Sequence, residues 1–80
     1  GERSGVTLPD GTQVKLNAES SLSYTHDFGR ELRQVNLEGE AYFEVTRNED
    51  KPFVVHTKYL DIEVLGTSFN VNGRMSWKWP

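Results

Sequence analysis

Eighty residues, 35% of them apolar and 26% charged, leave room for one small domain with a single core, exclude a second core and argue against a deep catalytic cavity. The net charge is −3, and the nine lysines and arginines are scattered along the chain, so there is no basic footprint for nucleic acid or an anionic membrane. With no cysteine, disulfides and thiolate metal sites are excluded, and no apolar run approaches the ~20 residues of a membrane span. Nine aromatic residues and many β-branched ones still separate the chain from a disordered, highly charged one. It opens on Gly1, and we read it as a piece of a longer protein whose residues 1–5 are linker.

Turn signals then come at short intervals. "LPDGTQ" is the clearest: Pro9 presets φ for the first corner of a type I turn, Asp10 bonds back to the backbone, and Gly11 takes the left-handed conformation that follows. This turn joins strands at residues 6–8 and 13–16 as a hairpin. "NAESS" is the next break, followed by a short strand at 22–24 and the polar "THDFGRE". A long extended stretch covers 33–45, "RNEDKP" interrupts it, and strands at 53–57, 61–65 and 67–72 complete the domain. No window keeps apolar residues at helical spacing for three turns, whereas alternation with period two recurs throughout, so the chain is expected to be all-β.

The stretch "VNLEGEAYFEV" sets Val35, Leu37, Gly39, Ala41, Phe43 and Val45 on one parity, and Asn36, Glu38, Glu40, Tyr42, Glu44 and Thr46 on the other. Successive side chains of a strand point to opposite faces, so Glu38, Glu40, Tyr42 and Glu44 are expected together on one solvated face, a candidate partner-facing patch. So long a strand must bend, and Gly39 is where a corner costs least. "IEVLGTSFNV" echoes the same pattern, with Gly66 in the place of Gly39. There Ile62 and Val64 share one parity while Leu65, Phe69 and Val71 share the other, a slip that a bulge near Gly66 produces. Two copies of one kinked strand predict a twisted antiparallel β-sandwich or flattened β-roll whose strands pass between sheets at glycine corners.

The carboxylates have a sharper reading, but the residue pattern does not favour it. A glycosidase needs two carboxyl groups facing each other across a cleft, one of them buried, whereas Glu38 and Glu40 are i, i+2 neighbours on a polar face. Asp10, Asp27, Asp50 and Asp61 sit at turns or strand starts and have local backbone reasons to be there. His26 and His56 are thirty residues apart, without the further ligands that a zinc site needs, and no serine lies in a nucleophile motif such as G-x-S-x-G. The expectation is therefore a chain without catalytic residues, metal or cofactor. Phe43, Phe53 and Phe69 belong to the core by parity, while Tyr42 sits among carboxylates, where it either covers the sheet or meets a partner.

"VTLPDGTQVKLNAESSLSY", "VNLEGEAYFEV", "KPFVVHT" and "VLGTSFNV" occur in that order between residues 6 and 71, and together they resemble the FecR domain of FecR-family anti-sigma factors and sigma regulators. The resemblance implies a FecR-like β domain over residues 6–72 that sits in the periplasm as the soluble part of a protein anchored in the inner membrane. It further implies a non-enzymatic relay to an extracytoplasmic-function sigma factor. The implied partner is the N-terminal signalling domain of a TonB-dependent outer-membrane transducer, contacted with the help of a further C-terminal domain. Residues 73–80, "GRMSWKWP", fall outside the family pattern and form a tail in which Trp77 and Trp79 share a parity. A reading from a different class is a small carbohydrate-binding module with Tyr42 and the tail tryptophans as its platform; a purely structural repeat of an envelope protein is a third.

Overall fold

A computed structural model of the chain describes residues 4–73 together with the backbone of residues 76–78. Among the described residues there is no helix, and the strands in chain order are β1 (Ser4–Thr7), β2 (Gln13–Leu16), β3 (Ser21–Ser23), β4 (Arg33–Glu38), β5 (Glu40–Glu44), β6 (Phe53–His56), β7 (Asp61–Val64), β8 (Ser68–Asn72) and β9 (Ser76–Lys78). They form two sheets, one in the order β1-β2-β5-β8-β9 and one in the order β3-β4-β6-β7, packed as a sandwich.

The "LPDG" turn forms as its residues dictate. The Leu8 carbonyl accepts from Gly11 N–H at 2.9 Å, Leu8 N–H donates to the Thr12 carbonyl at 2.8 Å, and Asp10 Oδ1 accepts from Thr12 N–H at 2.9 Å. Gly11 has φ of 90°. The strand before it takes in Ser4 and Gly5, paired with Leu16 and Lys15, so the hairpin reaches into the expected linker.

Both glycine corners change sheets. The long 33–45 stretch leaves the second sheet as β4 and enters the first as β5, turning at Gly39 with φ of 93°, a conformation that side chains with a Cβ rarely take. Its echo passes from β7 to β8 around Gly66. Gly66 is not among the residues of positive φ, and a different constraint holds it: a Cβ there would lie 2.9 Å from the Arg47 amide nitrogen and nearer still to the Arg47 Cα. The parity slip is real, for Val64 and Phe69, five residues apart, are both buried. Leu65, expected to share the inward parity of Phe69 and Val71, is instead 40% exposed, because it continues the alternation of β7 and the slip falls after it, around Gly66.

The pairing is antiparallel except between β4 and β6, which run parallel, Arg33 opposite Phe53 and Asn36 opposite His56. Between them the chain crosses through β5 in the other sheet, and it re-enters travelling in the original direction. Inward residues of both sheets make one core that includes Val14, Val35, Leu37, Ala41, Phe43, Phe53, Val55, Phe69 and Val71. Phe43 and Phe69 are directly opposite in register and stack at 5.3 Å, and Phe53 from the second sheet meets Phe43 edge-on at 5.9 Å. Each such fully buried ring contributes about 2–3 kcal/mol, so the three phenylalanines bind the sheets to each other.

The tail adds an edge strand, β9, which pairs with β8 so that Trp77 stands opposite Val71 in register. The side chain of Trp77 and the whole of Trp79 lie outside the described residues.

Candidate functional site

The four residues expected on one face are divided by the Gly39 corner. Glu38 is exposed on the outer side of β4, whereas Glu40, Tyr42 and Glu44 are on the outer side of β5, in the opposite sheet of the sandwich. Alternation continues through the corner, but the sheet to which it refers changes there. Glu40 also departs from the solvated role expected of it. Its Oε1 accepts from Asn17 Nδ2 at 2.5 Å and its Oε2 from Asn70 Nδ2 at 3.0 Å, while its N–H donates to Ser20 Oγ at 2.8 Å. It therefore fastens the turn at residues 17–20 to the first sheet. Tyr42 is half-buried between Lys15 and Asn70 in register, and Glu44 is exposed between Gln13 and Ser68.

The Gly39 corner also brings together residues that sequence reasoning passed over. An open groove of about 420 Å³ lies at this end of the sandwich, with Glu19, Ser21, Leu37, Glu38, Lys58 and Tyr59 around the Gly39 and Gly73 backbones. Gly73 N–H donates to the Gly39 carbonyl at 2.8 Å, which closes the floor. On one side Glu19 carries φ of 63°, unusual for a residue with a side chain. On the other, Thr57 Oγ1 accepts from Leu60 N–H at 2.9 Å and from Tyr59 N–H at 3.3 Å, a tight turn that presents Lys58 and Tyr59. Tyr59 is 64% exposed, with Lys58 Nζ 5.6 Å from its ring centroid. The one sequence signal for this wall was an aromatic at a polar hairpin tip, where no apolar contact asks for it.

The opposite end is closed by a buried arginine. Arg33, 1% exposed, donates all five of its side-chain N–H groups: Nε to the Lys51 carbonyl at 2.6 Å, Nη1 to Asp10 Oδ2 at 3.0 Å and the Thr46 carbonyl at 2.5 Å, and Nη2 to the Asn48 and Leu65 carbonyls at 3.2 and 3.1 Å. Its guanidinium carbon also lies 5.6 Å from the Phe53 ring centroid. Asp10 holds Thr12 Oγ1 at 2.7 Å, and Thr12 in turn accepts from Thr46 N–H at 3.3 Å. The "LPDG" turn, the loop from Thr46 to Pro52 and the crossover at Leu65 are thus tied to a single side chain. The alternation carried a trace of this, since Arg33 has the parity of Val35 and Leu37, but nothing in the sequence names its acceptors.

On the outer face of the second sheet, His56 Nδ1 is 2.9 Å from Asp61 Oδ1 and its Nε2 is 2.9 Å from Gln34 Oε1. Among the described residues no three His, Asp or Glu side chains converge as metal ligands. The Thr25 hydroxyl holds the Asp27 carboxyl below its ordinary value of 3.8.

The FecR protein family matches residues 1–76. This chain belongs to the FecR family. Two crystal structures of a candidate anti-sigma factor from Parabacteroides distasonis are similar to this FecR domain, each with 53% identity and a TM-score of 0.85 over 90% of this chain. This chain spans 34% of the length of those proteins, about a third. No curated protein matches it. The motifs that carried the family resemblance now have physical roles in the FecR domain. "LPDG" supplies the Asp10 carboxylate to Arg33, and the glycines of "LEGEAYFEV" and "VLGTSFNV" let two strands change sheets.

Proposed function

We propose that this FecR domain is the periplasmic module of an inner-membrane sigma regulator, acting by presenting a folded surface to protein partners and turning over no substrate. The observation that carries the reading is the 53% identity, over 90% of the chain, to a candidate anti-sigma factor about three times as long. The upstream partner in this reading is the N-terminal signalling domain of a TonB-dependent transducer, and the output is an extracytoplasmic-function sigma factor.

The geometry supports a surface role. The core is filled by stacked phenylalanines, Arg33 locks one end, and the other end is an open groove walled by Glu38, Glu19, Lys58 and Tyr59. A rigid body with one shaped end suits transmission of a docking event to a neighbouring domain. Glu38 belongs to this contact surface, and Tyr42 and Glu44 make a second, on the far sheet, with Glu40 as its support.

The test uses the full-length parent and a reporter gene driven by its sigma factor. Glu38→Lys combined with Tyr59→Ala is expected to abolish the response to inducer at unchanged protein level. A response that survives both this variant and deletion of the whole domain overturns the proposal.

A further inference from the structure

β7 is an outer strand of the second sheet, paired with β6 along one side. Thr57 N–H donates to the Leu60 carbonyl at 2.9 Å, and this bond fixes the phase of the ladder. Bonded pairs in an antiparallel ladder recur every second residue, so after Thr57 and Leu60 they are Val55 with Ile62 and Phe53 with Val64. The N–H and C=O groups of Asp61 and Glu63 therefore point away from β6, and among the described residues no backbone group meets them. The same two residues carry exposed carboxylates on the outer face, whereas Ile62 and Val64, 5% and 7% exposed, face the core.

Natural edges are blunted by proline, by a bulge, by lysine or by cover, and residues 61–64 have none of the first three. What they have is a pair of acids, which selects what is able to pair. A second copy of this chain is disfavoured. Every antiparallel self-pairing centred on Asp61, Ile62 or Glu63 that keeps core faces together sets at least one carboxylate directly against another. Among the other edges, β1 has no charged residue to select a partner, and β3 and β9 are each three residues long.

We infer that the β7 edge accepts an extended strand of a partner protein in which basic residues alternate with apolar ones. The basic residues stand beside Asp61 and Glu63 on the outer face and exchange backbone hydrogen bonds with them. The apolar residues extend the row of Ile62 and Val64 on the core face. This surface is separate from the groove and does not rest on the relay reading.

The probe is a capped seven-residue peptide alternating lysine and valine, compared with one carrying glutamate for lysine and one N-methylated at the lysine amides that face β7. Titrated into the ¹⁵N-labelled chain, the first is expected to shift the Asp61 and Glu63 amides saturably, and the other two to bind at least about tenfold more weakly. Raising the salt to about 0.5 M weakens the first peptide several-fold, since screening lengths then fall well below 10 Å. Glu63→Lys, which leaves the Asp61 to His56 contact in place, is expected to reduce the preference for the lysine peptide, and Asp61→Lys with Glu63→Lys to reverse it. Urea melts verify that each variant is folded, and the single variant carries the test if the double one is not. Equal binding of the N-methylated peptide, shifts centred elsewhere, an unchanged preference in Glu63→Lys, or a dimer paired through β7 would each overturn the inference.

Discussion

Replacing Arg33 by methionine keeps much of the side-chain volume and removes all five donors at once. The Asp10 carboxylate and the carbonyls of Thr46, Asn48, Lys51 and Leu65 then face a thioether. Each buried acceptor left without a partner costs about 1–3 kcal/mol, but the sum overstates the loss. Asp10 keeps its bonds to Thr12, its side chain is 16% exposed, and the loop from Thr46 to Pro52 is free to relax towards water. Breaking one side of a buried pair costs about 3–5 kcal/mol, and that is the magnitude expected. An 80-residue domain has about 4–12 kcal/mol in total, so Arg33→Met removes at least about a quarter of the stability of this one. Arg33→Lys, which retains charge but offers three donors, should cost about half as much. Adding Asp10→Asn to Arg33→Met should recover about 1–2 kcal/mol, because an uncompensated carboxylate is part of the penalty. Equilibrium unfolding in urea followed by circular dichroism measures all of these. If Arg33→Met costs less than about 1 kcal/mol, the value of an exposed ion pair, the arginine is not the clamp described.

Gly39→Val should destabilise by about 2–4 kcal/mol, since it combines a left-handed backbone with a Cβ only 3.0 Å from the Ser20 Cα; an unchanged thermal melt would show that the corner is not as described. Glu40→Gln should cost about 1–2 kcal/mol, because an amide is unable to accept from both Asn17 and Asn70 in place of the carboxylate, whereas Glu44→Gln should stay within about 0.5 kcal/mol; equal effects would refute the distinction. The Asp27 carboxyl, held by the Thr25 hydroxyl, should titrate below 3.8 by NMR, and Thr25→Ala should move it back up. Since the folded value is the lower one, the contribution of this contact is present above the unfolded value and disappears as the pH falls through the folded one.

The all-β class, the "LPDG" hairpin and the two glycine corners were legible from alternation and turn chemistry, because these are local properties of a few neighbouring residues. Period-two patterning named the core as well, from Val35 through Phe43 to Phe69 and Val71. Local pattern does not encode the sheet in which a strand lies. The separation of Glu38 from Glu40, Tyr42 and Glu44 follows from the change of sheet at Gly39, and the parallel pairing of β4 with β6 follows from the crossover through β5. The groove exists because Glu19, Lys58 and Tyr59 converge on that corner from turns far apart in the chain. Arg33 illustrates the division: its inward parity could be read from the alternation of one strand. Its burial is tolerable only because a carboxylate and four carbonyls, from segments 13 to 32 residues away, arrive around it in the folded chain.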